Sequence, residues 1–238
     1  MDYIKYLSRS IRLAIGIVLL SGYGLVFYGS PKANAEQIKE KNVSFKWAFG
    51  VMVGGESGPR VVSITRSATL KTGDKLKILL QPQTSCHVYL IYHSADDELF
   101  RLFPYQFNRI AEDFKPSEKY YIPQGRQWFE LDEKVGKEKF YLLASSERLD
   151  HLEALLSRYE AAEFPQKGEA VREILSEIRN LRKRNKKFTA TAERPISIGG
   201  SMRGISREKQ TGFPEIDALA VEVSATNFYY RTYTIDHQ

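Results

Sequence analysis

Between residues 45 and 145 apolar and polar positions alternate two residues apart through a series of short runs rich in β-branched and aromatic side chains. A strand sends successive side chains to opposite faces, so this period marks half-buried strands. It predicts strands over 45–53, 60–65, 75–81, 87–93, 99–103, 120–122, 128–131 and 139–144. Turn chemistry separates them: Gly54-Gly55-Glu56-Ser57-Gly58-Pro59, Thr72-Gly73-Asp74 and Ser94-Ala95-Asp96-Asp97 combine residues that tolerate tight reversals. Many short strands at this spacing predict a mainly β chain with an antiparallel β-sandwich or barrel-like core.

The period then changes. Leu149, Leu152, Leu155, Leu156 and Tyr159 recur at helical spacing, as do Val171, Ile174, Leu175, Ile178 and Leu181. Phe164-Pro165-Gln166-Lys167-Gly168 interrupts the two runs. They predict an α-helical hairpin inserted at about 147–187, its apolar stripes covering each other and one face of the sheet. A Gly/Ser/Arg-rich stretch over 189–214 reads as a long loop with a short strand, and 218–235 as an aromatic, β-branched strand.

The first 35 residues have a different logic. Lys5, Arg9 and Arg12 precede an apolar run from Leu13 to Phe27, and Ala33-Asn34-Ala35 supplies a small-x-small cleavage site. That order is a secretory signal peptide, cleaved after Ala35. The run is shorter than the ~20 residues that span a bilayer, no cysteine lies near the site, and no twin-arginine pair precedes it. The mature chain is expected to start at Glu36, to form one β-rich domain over 36–238 with no transmembrane segment, and to be periplasmic or secreted.

Export changes the electrostatics. The whole chain carries 35 Lys and Arg against 29 Asp and Glu, a net charge of +6, and without residues 1–35 the balance falls to 31 against 28. A charge of about +3 on ~200 residues makes a nucleic-acid partner unlikely. A single cysteine allows no internal disulfide, so the core must hold the fold.

Reactive side chains cluster once, in "CHVYLIYHSADD" at 86–97. On a strand, Cys86, Val88, Leu90 and Tyr92 share one face while His87, Tyr89, Ile91 and His93 share the other. The two histidines lie about 20 Å apart at ~3.3 Å per residue and cannot hold one ion. Cys86 reads as a buried small apolar residue, and Asp96 and Asp97 as turn residues. A calcium site at this tip would need further oxygens, with Glu112 and Asp113 the nearest candidates in sequence. "GVMVGGES" at 50–57 has phosphate-loop spacing, but Glu56 replaces the lysine and Pro59 follows in place of a helix. "GGSMRG" at 199–204 approaches a nucleophile elbow around Ser201, but Arg203 replaces the second glycine. No catalytic, cofactor or metal residues are nominated.

Two surface features remain. Arg179, Arg182, Lys183, Arg184, Lys186 and Lys187 gather where the second helix ends, a place the helix dipole favours for cations and one where an anionic partner could bind. Tyr105, Trp128, Tyr229 and Tyr233 would serve carbohydrate or lipid binding if exposed.

"LKTGDKLKILLQP" (70–82), "VYLIYHSADDELFRLFP" (88–104) and "YYIPQGRQWFELDEKVGKEKFYLLAS" (120–145) together resemble the bacterial domain of unknown function family 4384 over about residues 68–146. The positions that carry the resemblance are Gly73-Asp74, Val88-Tyr89-Leu90, Leu102-Phe103-Pro104, Tyr121-Ile122-Pro123 and Ala144-Ser145. It implies a β-rich module, often exported or attached to larger proteins, and brings no catalytic residues with it. The expectation is an exported, non-enzymatic module for binding or assembly in the cell envelope, with a protein or an anionic envelope component as partner. The alternatives are an envelope hydrolase or glycan-processing enzyme, and an aromatic carbohydrate- or lipid-binding protein.

Overall fold

Burial along β1 (Asn42–Val53) has period two: Val43, Phe45, Trp47, Phe49 and Val51 all enter one apolar core. That core lies between two sheets in a computed structural model that describes residues 42–54, 59–107, 115–163, 166–186, 192–195 and 216–238. The signal-peptide segment lies outside the described residues.

The first sheet runs β10 (Ala192–Pro195), β11 (Val221–Thr226), β1, β4 (Lys75–Pro82) and β7 (Tyr120–Ile122), with β2 (Arg60–Ser63) on β1 and β8 (Phe129–Glu130) on β4. The second runs β3 (Ser67–Leu70), β12 (Phe228–His237), β9 (Gly136–Ser145), β5 (His87–His93) and β6 (Leu99–Phe103). The β3–β12 pair is parallel, and the other described pairs are antiparallel. Two separate sheets make a sandwich, which resolves the sandwich-or-barrel alternative. Aromatic edges knit it together: Phe49 meets Phe140 at 4.9 Å and Tyr233 at 5.4 Å, and Trp47 stacks on Tyr233 at 5.7 Å.

Helices α1 (Asp150–Ala161) and α2 (Lys167–Arg184) cover the outer face of the second sheet. Leu152, Leu156, Ile174 and Ile178 bury against Tyr89, Ile91, Leu143 and Phe228, the side chains that period two turns away from the sandwich core. Polar clamps fix the dock. Tyr89 donates to Glu153 Oε1 at 2.6 Å and accepts from the Leu149 amide at 3.0 Å, Tyr159 accepts from the Leu99 amide, and Arg101 grips Glu160 through two bonds. The outer face of the first sheet is capped by a 3-10 turn, Ile216–Leu219, on Ala48 and Leu79. Asp217 holds this turn by accepting from Lys119 and Tyr121.

Two expectations need correction. The run over 218–235 is not one strand: after the 3-10 turn, β11 joins the first sheet and β12 the second, with Asn227 at φ 60 between them. Alternation continues across such a corner, and asparagine adopts the left-handed region without a glycine or proline to announce it. Likewise 60–65 ends at Ser63, and a separate β3 follows as the parallel neighbour of β12. The short strand expected within 189–214 is β10, while the rest of that stretch lies outside the described residues.

Candidate functional site

At one side of the sandwich the edge of the first sheet is only the two-residue β8, facing β6 at the edge of the second. The sheets stay apart there and enclose an open cavity of about 240 Å³. Leu76, Tyr92, Phe100, Leu102, Phe129 and Phe140 form its apolar wall. The rings support one another, Tyr92 stacking on Phe100 at 5.7 Å and tilting against Phe140 at 4.9 Å. A second hollow of about 160 Å³ shares Tyr92, Phe100 and Glu138 with it, and brings Asp96, Glu98, Asp132 and Lys134 to its wall.

Glu138 is the exceptional side chain. Phe140, Leu142 and Ala144 of β9 point into the core, and the same period carries Glu138 inward one step earlier, where it is only 4% exposed. Its Oε2 has no hydrogen-bond partner. Burial drives its pKa above the ordinary carboxylate range, further than the facing Tyr92 and His237 can lower it. The carboxylate in turn helps burial push the Tyr92 phenol up.

His237, fully buried on β12, places Nδ1 3.4 Å from Glu138 Oε1 and Nε2 3.2 Å from Thr72 Oγ1. Hydroxyl, imidazole and carboxylate therefore stand in the order of a hydrolase triad. The bonds of such a triad are not made: Nδ1 has no hydrogen-bond partner, and the Asp132 carbonyl, 2.9 Å from the Thr72 hydroxyl, competes with Nε2 for its single proton. A nucleophile in that position would have to give its proton to Nε2. The line instead ties the turn after β3 to the end of β12.

The cluster of reactive residues at 86–97 is dispersed by the fold. Cys86 is buried with Val88 and Leu90 in the sandwich core, and burial raises its pKa. His93 pairs with Asp97 at 2.7 Å, while Asp96 pairs with Lys134 at 2.7 Å, so the two carboxylates serve different partners. Asp97 has φ 63, as a turn aspartate can. Glu112 and Asp113 lie outside the described residues, as do Ser201 and Lys187. Among the described residues no three His, Cys, Asp or Glu side chains come close enough to hold a metal ion. Gly50 to Val53 of the phosphate-loop-like run belong to β1, and its residues 55–57 lie outside the described residues.

Arg179, Arg182, Lys183, Arg184 and Lys186 are exposed along the last turns of α2 and just beyond it. Arg184 bonds Glu177, and Arg182 lies over the Tyr230 ring. Of the aromatic candidates, Tyr229 and Tyr233 are core side chains, each 2% exposed, which removes them from any surface platform. Trp128 and Tyr105 are half-buried, Trp128 against Lys77 and Tyr105 donating to the Tyr121 carbonyl.

Sequence reasoning passed over Glu138, His237 and the cavity wall. The expected strands stopped at 139 and 235, one and two residues short of the two titratable groups. Extending the alternation from Phe140 and Ile235 would have turned both inward.

Residues 69–148 match the family model described as Domain of unknown function (DUF4384). The matched third of the chain contains the whole apolar wall and Glu138, whereas His237 lies outside it. No curated protein and no solved structure matches the chain significantly. No helix among the described residues is long and apolar enough to cross a membrane.

Proposed function

We propose that this protein is an exported, non-enzymatic binding module of the bacterial cell envelope whose ligand site is the cavity between β6 and β8. The observation that carries the reading is the cavity itself: an open, aromatic-walled hollow with few polar groups is the usual form of a small-molecule site. It is also larger than the ~150 Å³ apolar cavity that accommodates a benzene ring.

The test is titration of the purified protein with 2-phenylethanol, a small apolar probe, followed by NMR. Resonances of Tyr92, Phe100 and Phe140 should shift, and Leu102→Trp, which fills the hollow, should abolish the response. No shift at millimolar probe would end the cavity reading. Export is supported by the charged, apolar and small-residue order of residues 1–35. The mass of the exported protein should correspond to a chain starting at Glu36, and a full-length mass would overturn cleavage.

A second reading adds a partner surface at the end of α2, favoured by the exposed Arg179, Arg182, Lys183, Arg184 and Lys186. An anionic envelope component would bind there in a salt-sensitive way. Co-sedimentation with anionic vesicles should weaken when Arg182, Lys183 and Lys186 are all reversed to Glu. Equal binding by wild type and variant would remove this surface from the proposal.

A further inference from the structure

A carboxylate does not ordinarily sit buried with a free oxygen. Desolvating one costs several kcal/mol unless hydrogen bonds or a counter-charge offset it. Glu138 is 96% buried by the complement of its 4% exposure, its Oε2 has no partner, and it lines both the apolar cavity and the polar hollow beside it. His237 faces Oε1 at 3.4 Å and the Tyr92 phenol also faces the carboxylate, but neither gives Oε2 a hydrogen bond of ordinary length.

The surroundings select the sign of the missing partner. Asp96, Glu98, Glu130 and Asp132 line the two hollows with Glu138; Lys134 pairs with Asp96 and Lys75 with Glu130, so carboxylates still outnumber the cations set against them. An anion entering there would meet like charge, whereas a cation would be drawn in. Tyr92, Phe100 and Phe140 supply ring faces beside the carboxylate, and aromatic faces attract an ammonium group once it is desolvated. The remaining wall, Leu76, Leu102 and Phe129, suits a hydrocarbon body. At about 240 Å³ the hollow is below the ~300 Å³ at which drug-sized sites begin, which limits the ligand to a small one.

We infer that the cavity is an amine site: it takes a primary ammonium group on a short apolar body, with the nitrogen paired to the Glu138 carboxylate and the body lying among the aromatic rings. The inference rests on the cavity being a binding site and adds the chemical class of its ligand. The ammonium could arrive on a free amine or on a lysine side chain of a partner, since both present the same head and a similar length of hydrocarbon.

Calorimetric titration of the purified protein with 2-phenylethylamine, 2-phenylethanol and 3-phenylpropionate tests it. The three share an apolar body and differ in the charge of the head. The amine should bind at least tenfold more tightly than the alcohol, and the acid should give no heat. Glu138→Gln should lower amine affinity at least tenfold, and by far more than it changes that of the alcohol, with circular dichroism confirming the fold. The wild-type comparison stands even if that variant does not fold. N-acetyl-lysine methylamide, titrated alongside, identifies the source: binding by it or by the free amine upholds the site, and binding by neither overturns it. Alcohol binding as tight as amine binding would leave the cavity a ligand site and refute the amine inference. No response to any probe would refute the cavity reading itself.

Discussion

Removing one oxygen tests how the helical hairpin is held. The Tyr89 hydroxyl, on β5, donates to Glu153 Oε1 at 2.6 Å and accepts from the Leu149 amide at 3.0 Å, just before α1 begins. Tyr89→Phe keeps the ring among Leu143, Leu152 and Phe228 and deletes only these two bonds. A hydrogen bond to a charged group contributes ~1.5–3 kcal/mol, and leaving the Leu149 amide without an acceptor costs a further ~1–3 kcal/mol. Glu153 retains Arg148, so its charge is not stranded and the lower half of the range applies. The expected loss is about 3 kcal/mol, which for a domain of ~200 residues lowers the melting temperature by roughly 6–12 °C. Urea unfolding of wild type, Tyr89→Phe, Glu153→Gln and the double variant gives the coupling directly. A coupling below ~0.5 kcal/mol with an unchanged midpoint for Tyr89→Phe would refute the view that this phenol anchors the hairpin.

Lys77 donates to the Gly125 and Gln127 carbonyls, each at 2.7 Å, between the Tyr121 and Trp128 rings, so Lys77→Met should cost about 2–4 kcal/mol. Urea unfolding measures it, and a loss below ~0.5 kcal/mol would show that the loop holds without its cation. Because burial raises the folded-state pKa of Glu138, against Tyr92 and His237 and with a small further rise from Asp132, the native state binds more protons than the unfolded state above the ordinary carboxylate range. Stability should therefore fall as pH rises through that window, and Glu138→Gln should flatten the fall in a series of melts. Asp217 has the opposite sign: burial raises its pKa, but Lys119 and Tyr121 lower it further, so its contribution should vanish as pH falls through its depressed pKa, a limb that Asp217→Asn removes. Cys86 should react slowly with thiol reagents in the native protein, and Cys86→Val should leave probe binding intact. Fast native labelling that blocks binding would contradict its place in the core.

The parts legible in the sequence are those where one period runs unbroken. Strands 87–93 and 99–103 match β5 and β6 residue for residue, and the two helical stripes lie where α1 and α2 bury them. The face assignment of Cys86, Val88 and Leu90 against Tyr89 and Ile91 also holds, because alternation is a geometric property of the strand. What periodicity cannot express is which sheet a strand joins. Residues 218–235 alternate throughout, yet Asn227 sends the two halves to different sheets. The cavity was illegible for a related reason: Tyr92 and Phe140 read as ordinary core residues, and nothing local records that the two-residue β8 leaves the sandwich open beside them. Glu138 looks like any polar residue at a strand start, and only the sheet partners show that it is enclosed.

The position of β12 has a consequence for how the chain acquires its shape. It lies between β9 and β3, pairing with ten residues of the former and four of the latter, and it brings Tyr229, Tyr233 and Ile235 to the core. The matched family segment, 69–148, emerges before this neighbour during synthesis, and β1 likewise waits for β11. Closure entropy for contacts so distant in sequence must be met before they stabilise anything, which delays folding. Until its final strands arrive, β1 and β9 each lack a ladder partner, so both sheets are completed together by the last stretch of chain.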